Sequence, residues 1–359
     1  MNLKINDSKL LFVNSLSGSG VGDFGKAMFV AIDPEHVQKE YVNSNSTWAS
    51  FFSNWHKILK FRGKILINLG FTSYGKSPVV NFVNFFLIFI SARVFAKKLQ
   101  VILHDSPDLT SKETSGYKHF TLIKIGGTIA TYFLKNLQVY VFSETLFYIL
   151  RNKYGFEKIV FHPFPCLAVS KKNSFDDKSD IIVLSIGYIA PYKGLELTRY
   201  IKEIIPNVEF IISGVSHPVL SRTVNGISYF NNLISNLVEN GIDVRGYISE
   251  SEIAELTDKR RVIGILPYLV TSGSSYAATF FIERGIPVIA SNLPEFRVLY
   301  NHGAGIILCE RNAIEFANEI DRTRVNLDLY CNLVKRNIEY CSNYSITNFL
   351  IEIGLGKGN

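Results

Sequence analysis

From one end of the chain to the other, brief runs of Val, Ile, Leu and Phe alternate with longer amphipathic stretches. A strand that is apolar at every position, rather than at every second one, must be buried on both faces, as in a parallel sheet covered by crossover helices. The alternation therefore predicts repeated βαβ units. A first series of strands is expected at 10–14, 64–69, 101–104, 139–143 and 159–162, and a second at 181–186, 209–213, 243–245, 262–266, 288–290 and 305–308. Helices such as 251–260 would separate them. The stretch 313–340 also reads as helical, with Ile314, Phe316, Ala317, Ile320, Leu333 and Ile338 at near-helical spacing.

Between the two series lies SKKNSFDDKSD (170–180), whose polarity suits an interdomain linker. At 359 residues the chain exceeds the size at which one hydrophobic core stops growing. The expected architecture is α/β, with two doubly wound, Rossmann-like domains, 1–165 and 166–340, facing a central cleft. A composition of 47% hydrophobic and 19% charged residues excludes a disordered chain.

The formal charge of +7 favours anionic partners. No basic run is interleaved with aromatics and no zinc-finger or RNA-motif signature occurs, so no nucleic acid partner is expected. The four cysteines, Cys166, Cys309, Cys331 and Cys341, show neither CxxC pairing nor histidine at metal-ligand spacing. Neither zinc nor a disulfide framework is expected, and a reducing cytoplasm is the simplest setting. The opening MNLKINDSKLLFVNS lacks the apolar stretch of a secretory signal. The apolar segment 79–96 is interrupted by Asn81, Asn84 and Arg93, and its uninterrupted core, 85–90, is too short to span a bilayer. It reads as a buried helix ahead of one lying on a membrane.

Four segments can carry chemistry. After the first strand, LSGSGVGDF places Gly18, Gly20 and Gly22 before a helix expected from Asp23, a turn that lets backbone approach a ligand or simply turns the chain. The spacing fits neither the dinucleotide fingerprint nor a P-loop. In VILHDSPD, His104 and Asp105 fall at the carboxyl end of a predicted parallel strand, the edge where open α/β sheets bind ligands. In LSIGYIAPYKGLEL, Gly187 ends a strand, Tyr188 follows it, and Lys193 and Gly194 precede a helix. A lysine there can offset the charge of a departing diphosphate. Finally Thr271, Ser272, Gly273, Ser274 and Ser275 converge at the start of an apolar helix, where they suit a phosphate or serve as an ordinary N-cap.

Taken in order, these segments resemble the GT-B-fold retaining glycosyltransferases of family 4 over nearly the whole chain. The Gly-rich loop, the His104–Asp105 pair, VYVFSE (139–144), KYGFEKIVFHPFP, GYIAPYKGLEL, GYISESEIAEL, RGIPVIASNLPEF, HGAGIIL and YCSNYSI follow the family's order. Two departures stand out. Tyr188 occupies the place of the family's usual Arg, and Ser272 and Phe280 occupy the places of its paired glutamates.

The resemblance implies a metal-independent hexosyltransferase-like enzyme that takes a nucleotide-diphosphate sugar as substrate, needs no cofactor and uses a glycan or lipid-linked acceptor. Residues 1–165 would bind the acceptor, 166–340 the nucleotide sugar, and 341–359 would return to the first domain. His104 and Lys193 would be catalytic. Gly20, Gly22, Gly187, Tyr188, Lys193, Gly194, Thr271, Ser272, Gly273, Ser274 and Ser275 would bind the donor. The expected location is the cytoplasm, with peripheral membrane contact through the basic, apolar 79–98 region. The departures also leave open a non-catalytic binding protein or partner subunit of the same fold. A cofactor-binding oxidoreductase is disfavoured by the missing fingerprint.

Overall fold

The computed structural model describes residues 9–14, 20–32, 38–43, 55–70, 78–96, 98–106, 108–109, 120–167, 181–217, 220–222, 224–271 and 273–356. The linker expected at 170–180, together with Gly18 and Ser272, lies outside them.

The first half supplies strands β1 (Lys9–Asn14), β2 (Gln38–Asn43), β3 (Lys64–Leu69), β4 (Lys98–Leu103), β5 (Gln138–Val141) and β6 (Ile159–Phe161). Its helices are α1 (Gly20–Ala31), α2 (55–60), α3 (Pro78–Phe95), α4 (Phe120–Leu134) and α5 (Glu144–Tyr148). The second half supplies β7 (Ile181–Ile186), β8 (Glu209–Ser213), β9 (Asp243–Arg245), β10 (Arg261–Leu266), β11 (Val288–Ser291) and β12 (Ile306–Cys309). Its helices are α6 (Leu197–Ile204), α7 (Val224–Glu239), α8 (Glu250–Lys259), α9 (Tyr276–Glu283), α10 (Pro294–Asn301), α11 (Ala313–Val325), α12 (Leu327–Asn343) and α13 (Ile346–Glu352).

The strands form two parallel six-stranded sheets, ordered β2-β1-β3-β4-β5-β6 and β12-β11-β10-β7-β8-β9. Each order reverses direction once, between β1 and β3 in the first sheet and between β7 and β10 in the second. Those reversals open the crevices at which doubly wound sheets take ligands.

Burial on both faces explains why the strands are apolar throughout. In the first sheet Leu11, Val13, Ile65, Ile67, Val101 and Leu103 face Phe85, Phe89, Ala130 and Leu134 of α3 and α4. Their neighbours Leu10, Phe12, Leu66 and Ile102 face Phe24 and Met28 of α1. Ile346, Phe349 and Leu350 of α13 complete that second face, and Lys64 Nζ donates to the Gly354 carbonyl at 3.2 Å. The chain crosses back beside the segment around Cys166, whose N–H donates to the Tyr344 carbonyl and whose carbonyl accepts from Ile346 N–H, both at 2.8 Å.

Three elements differ from the sequence expectation. β2 is an unforeseen strand, because QKEYVN lies at the sheet edge with Gln38 and Glu40 exposed, and no apolar run marks it. α1 begins at Gly20, a turn-forming residue, rather than at Asp23. The helical stretch 313–340 divides at Asn326, whose side chain caps α12 by accepting from Leu329 N–H at 2.9 Å. The segment 79–96 forms α3, and no helix among the described residues is long and apolar enough to cross a membrane.

Candidate functional site

At the reversal of the first sheet, the carboxyl ends of β1, β3 and β4 carry Asn14, Asn68 and His104. Asn14 and Asn68 are fully buried and His104 is half-buried. Asn14 Nδ2 donates to the Gly22 carbonyl at 2.7 Å, and Asn68 Nδ2 donates to Asn14 Oδ1 and to the Val21 carbonyl, both at 2.8 Å. His104 Nε2 lies 2.7 Å from Asn68 Oδ1. The imidazole is boxed by the rings of Phe24 and Phe142, each with its centroid at 5.4 Å, and of Phe164 at 6.4 Å. This apolar enclosure disfavours the imidazolium and pulls the His104 pKa down to about 3, so the ring is neutral at physiological pH.

At the reversal of the second sheet, β7 is followed by Gly187 and Tyr188, and a single 3-10 turn, Pro191–Lys193, leads to Gly194. Gly187 has φ +99°, and a Cβ there would lie 2.7 Å from Lys193 Nζ. Glycine is thus favoured by the backbone, and Lys193 folds over the space that a side chain would fill. Lys193 is buried, its Nζ donating to the Ile186 carbonyl at 2.9 Å and sitting 5.4 Å from the centre of the Tyr268 ring. An ammonium has three donors, and the remaining two of Lys193 find no acceptor among the described residues. Burial lowers its pKa. His217, after β8, stacks edge-on against Tyr188 at 5.3 Å, and its pKa is lowered by burial and then by the charge of Lys193.

The turn before α9 closes the gap between the two sheets. Ser274 Oγ donates to the Phe142 carbonyl at 3.0 Å, and a Cβ on Gly273 would lie 2.6 Å from the His104 carbonyl oxygen. Glu295, a buried carboxylate in the first turn of α10, accepts from Ser143 Oγ at 3.2 Å and also from Thr271 Oγ1. A cavity of about 560 Å³, lined by Glu144, Tyr148, Asn152, Lys153, Arg297 and Asn301 among others, adjoins this contact.

His104, Thr271, Gly273 and Ser274 therefore meet in one place, and Gly22 joins them through Asn14 and Asn68. Gly187, Tyr188, Lys193 and Gly194 form a second group at the β7–β10 reversal, and Gly20 starts α1. Ser275 caps α9, accepting from Ala278 N–H at 3.3 Å, the ordinary use of a serine at that position. Phe280 lies under Arg284, whose guanidinium carbon is 3.5 Å from the ring centre. Asn14, Asn68, His217 and Glu295 belong to the site without having been singled out in the sequence. The asparagines closing the apolar runs LLFVN and LINL were the available signal.

No family model matches the chain, and no curated protein matches it. Solved structures do. HepE of Anabaena, determined in complex with UDP, has 14% sequence identity and a TM-score of 0.67, with 97% of this chain and 98% of that one covered. Sucrose-phosphate synthase of Thermosynechococcus elongatus has 13% identity and a TM-score of 0.70 over 97% of each chain. A glycosyltransferase of Rickettsia africae has 15% identity and a TM-score of 0.58 over 98% and 97%. The likeness is one of fold, and it fixes the architecture of this chain as GT-B, two doubly wound parallel sheets.

Proposed function

We propose that the chain is a retaining glycosyltransferase that moves a sugar from a nucleotide diphosphate to a glycan or lipid-linked acceptor. The observation that carries this reading is Lys193: a buried ammonium at the β7–β10 reversal with two unspent donors is a group whose environment calls for an anion. HepE, of the same fold, was also solved with UDP-glucose, which supports a nucleotide sugar as the donor to test first.

In this reading the bond from the sugar's anomeric carbon to the diphosphate breaks as the acceptor oxygen bonds to that carbon on the same face. The acceptor's proton passes to the departing diphosphate oxygen. Lys193 stabilises the charge growing on the diphosphate, with the turns at Gly187–Tyr188 and Thr271–Ser275 shaping its bed, and His104 orients the sugar. No metal or other cofactor takes part, so transfer is expected to persist in chelator.

A thermal-shift screen against nucleotide diphosphates and nucleotide sugars tests binding, because a ligand held only by the folded state raises its melting temperature. Lys193→Ala is expected to abolish that shift and most transfer while leaving the fold intact. Wild-type turnover in this variant would overturn the assignment. The stacking of Arg284 on Phe280 favours a second reading, a non-catalytic binding protein, which binding without transfer or hydrolysis would establish.

For the acceptor side, α3 and α4 lie together through Phe86 and Phe133, with ring centroids 5.1 Å apart, and expose Ile90, Val94, Ile125 and Ile129 beside Arg93, Lys98 and Lys124. An apolar stripe rimmed by cations suits the surface of an anionic membrane on the cytoplasmic side. Sedimentation with anionic but not neutral vesicles at low salt, weakened by Ile129→Glu, is the expected result.

A further inference from the structure

The buried amides behind His104 have one consistent hydrogen-bonding arrangement. Backbone carbonyls only accept, so the Gly22 carbonyl fixes the Asn14 amide with Nδ2 towards it, and the Val21 carbonyl fixes Asn68 likewise. With both Nδ2 hydrogens of Asn68 assigned, to Val21 and to Asn14 Oδ1, its Oδ1 is left for His104. A carbonyl oxygen facing Nε2 at 2.7 Å requires the hydrogen to be on Nε2. Since the ring is neutral, Nδ1 then bears a lone pair, and among the described residues Nδ1 has no hydrogen-bond partner. Helix α1 seals the arrangement: a Cβ on Gly25 would come within 2.0 Å of Asn14 Oδ1 and 2.4 Å of Asn68 Nδ2.

We propose that Asn68, braced by Asn14, is a positioning residue that locks His104 as the Nε2–H tautomer, so that Nδ1 meets the ligand only as an acceptor and selects a sugar hydroxyl over an anionic group. The proposal rests on the nucleotide-sugar reading for the identity of the ligand, and on the hydrogen-bond geometry together with the aromatic enclosure of the ring for the tautomer. A histidine free to exchange tautomers could offer either a donor or an acceptor at Nδ1. The asparagine chain removes the donor form, so a carboxylate or phosphate at this point finds a lone pair where it needs a hydrogen. The sugar that fits is uncharged at the group His104 touches.

Nitrogen-15 spectra of histidine-labelled protein test the tautomer without any ligand, the His104 signals among the seven histidines being assigned by loss in His104→Ala. Wild type is expected to show a protonated-type Nε2 and an unprotonated-type Nδ1 across neutral pH. Asn68→Leu, which keeps the volume and removes the acceptor, is expected to give mixed tautomers. An Nδ1–H form in wild type, or an unchanged tautomer in Asn68→Leu, overturns the proposal, and the wild-type spectrum decides even where the variant does not fold.

Titration with UDP-glucose and UDP then separates ligand identity from positioning. Asn68→Leu is expected to weaken UDP-glucose about tenfold, the order of one lost hydrogen bond, and to leave UDP unchanged. Equal loss for both rejects selection of a sugar hydroxyl. If neither binds wild type, the UDP-sugar reading fails while the spectra still decide the tautomer.

Discussion

Two titratable side chains, one buried and one exposed, lend themselves to measurement. Glu283, in the last turn of α9, accepts from Leu167 N–H at 2.6 Å, and burial raises its pKa from 4.5 to about 7. Between these values the folded state keeps a proton that the unfolded state has released, so stability falls as pH rises through that window and is level above it. At about 1.4 kcal/mol per pH unit the loss approaches roughly 3 kcal/mol. Glu283→Gln keeps the acceptor and removes the titration. Its unfolding free energy is expected to exceed wild type by up to that amount at pH 8 and to converge with it near pH 4.5. The thiols divide as sharply. Cys166 is pushed up by its 3.2 Å contact with Cys341 and by burial, and burial pushes Cys309 up to about 12, whereas Cys331 is exposed. A thiol reagent at pH 8 is expected to modify one residue of the folded protein, and Cys331→Ser to abolish that reaction.

Among the elements, α13 carries a measurable energetic consequence. Phe349 is fully buried, with Tyr140, Phe142 and His162 at ring-centroid distances of 5.9, 5.3 and 5.0 Å. Phe349→Ala is expected to cost about 3–5 kcal/mol, and hydrogen exchange should report the lost protection in β1, β3 and β5, far away in sequence. The central strands of both sheets were legible beforehand because a parallel sheet buried on both faces leaves a nearly unbroken apolar run such as KLLFVN or RVIGIL. The edge strand QKEYVN leaves no such mark. Site legibility divided in the same way. His104 and Lys193 stood out because sheet edges and glycine turns are local signals. The Asn14–Asn68–His104 chain joins three strands that are neighbours only in space, and Glu295 acquires its partners from both halves of the molecule.

At the scale of the whole molecule, Glu295 joins the two sheets: Ser143 belongs to the first half, and Thr271 and Glu295 itself to the second. Glu295→Ala strands both hydroxyls and should cost about 1–3 kcal/mol. Small-angle scattering is expected to show a larger radius of gyration for that variant without ligand; an unchanged radius would mean that the remaining contacts, the Ser274–Phe142 hydrogen bond and the return of α13 among them, suffice to hold the halves together. The return of α13 to the first sheet also sets an order of events during synthesis. The face formed by Phe12, Phe24, Met28 and Phe142 is covered by residues made about 185 positions after β6. At roughly 5–20 residues per second the ribosome takes some 10–40 seconds to supply them. Throughout that interval the half of the protein translated first presents an uncovered aromatic face, which makes the nascent chain a client for chaperones that bind such surfaces, and the first sheet reaches its finished form only after the second has been made.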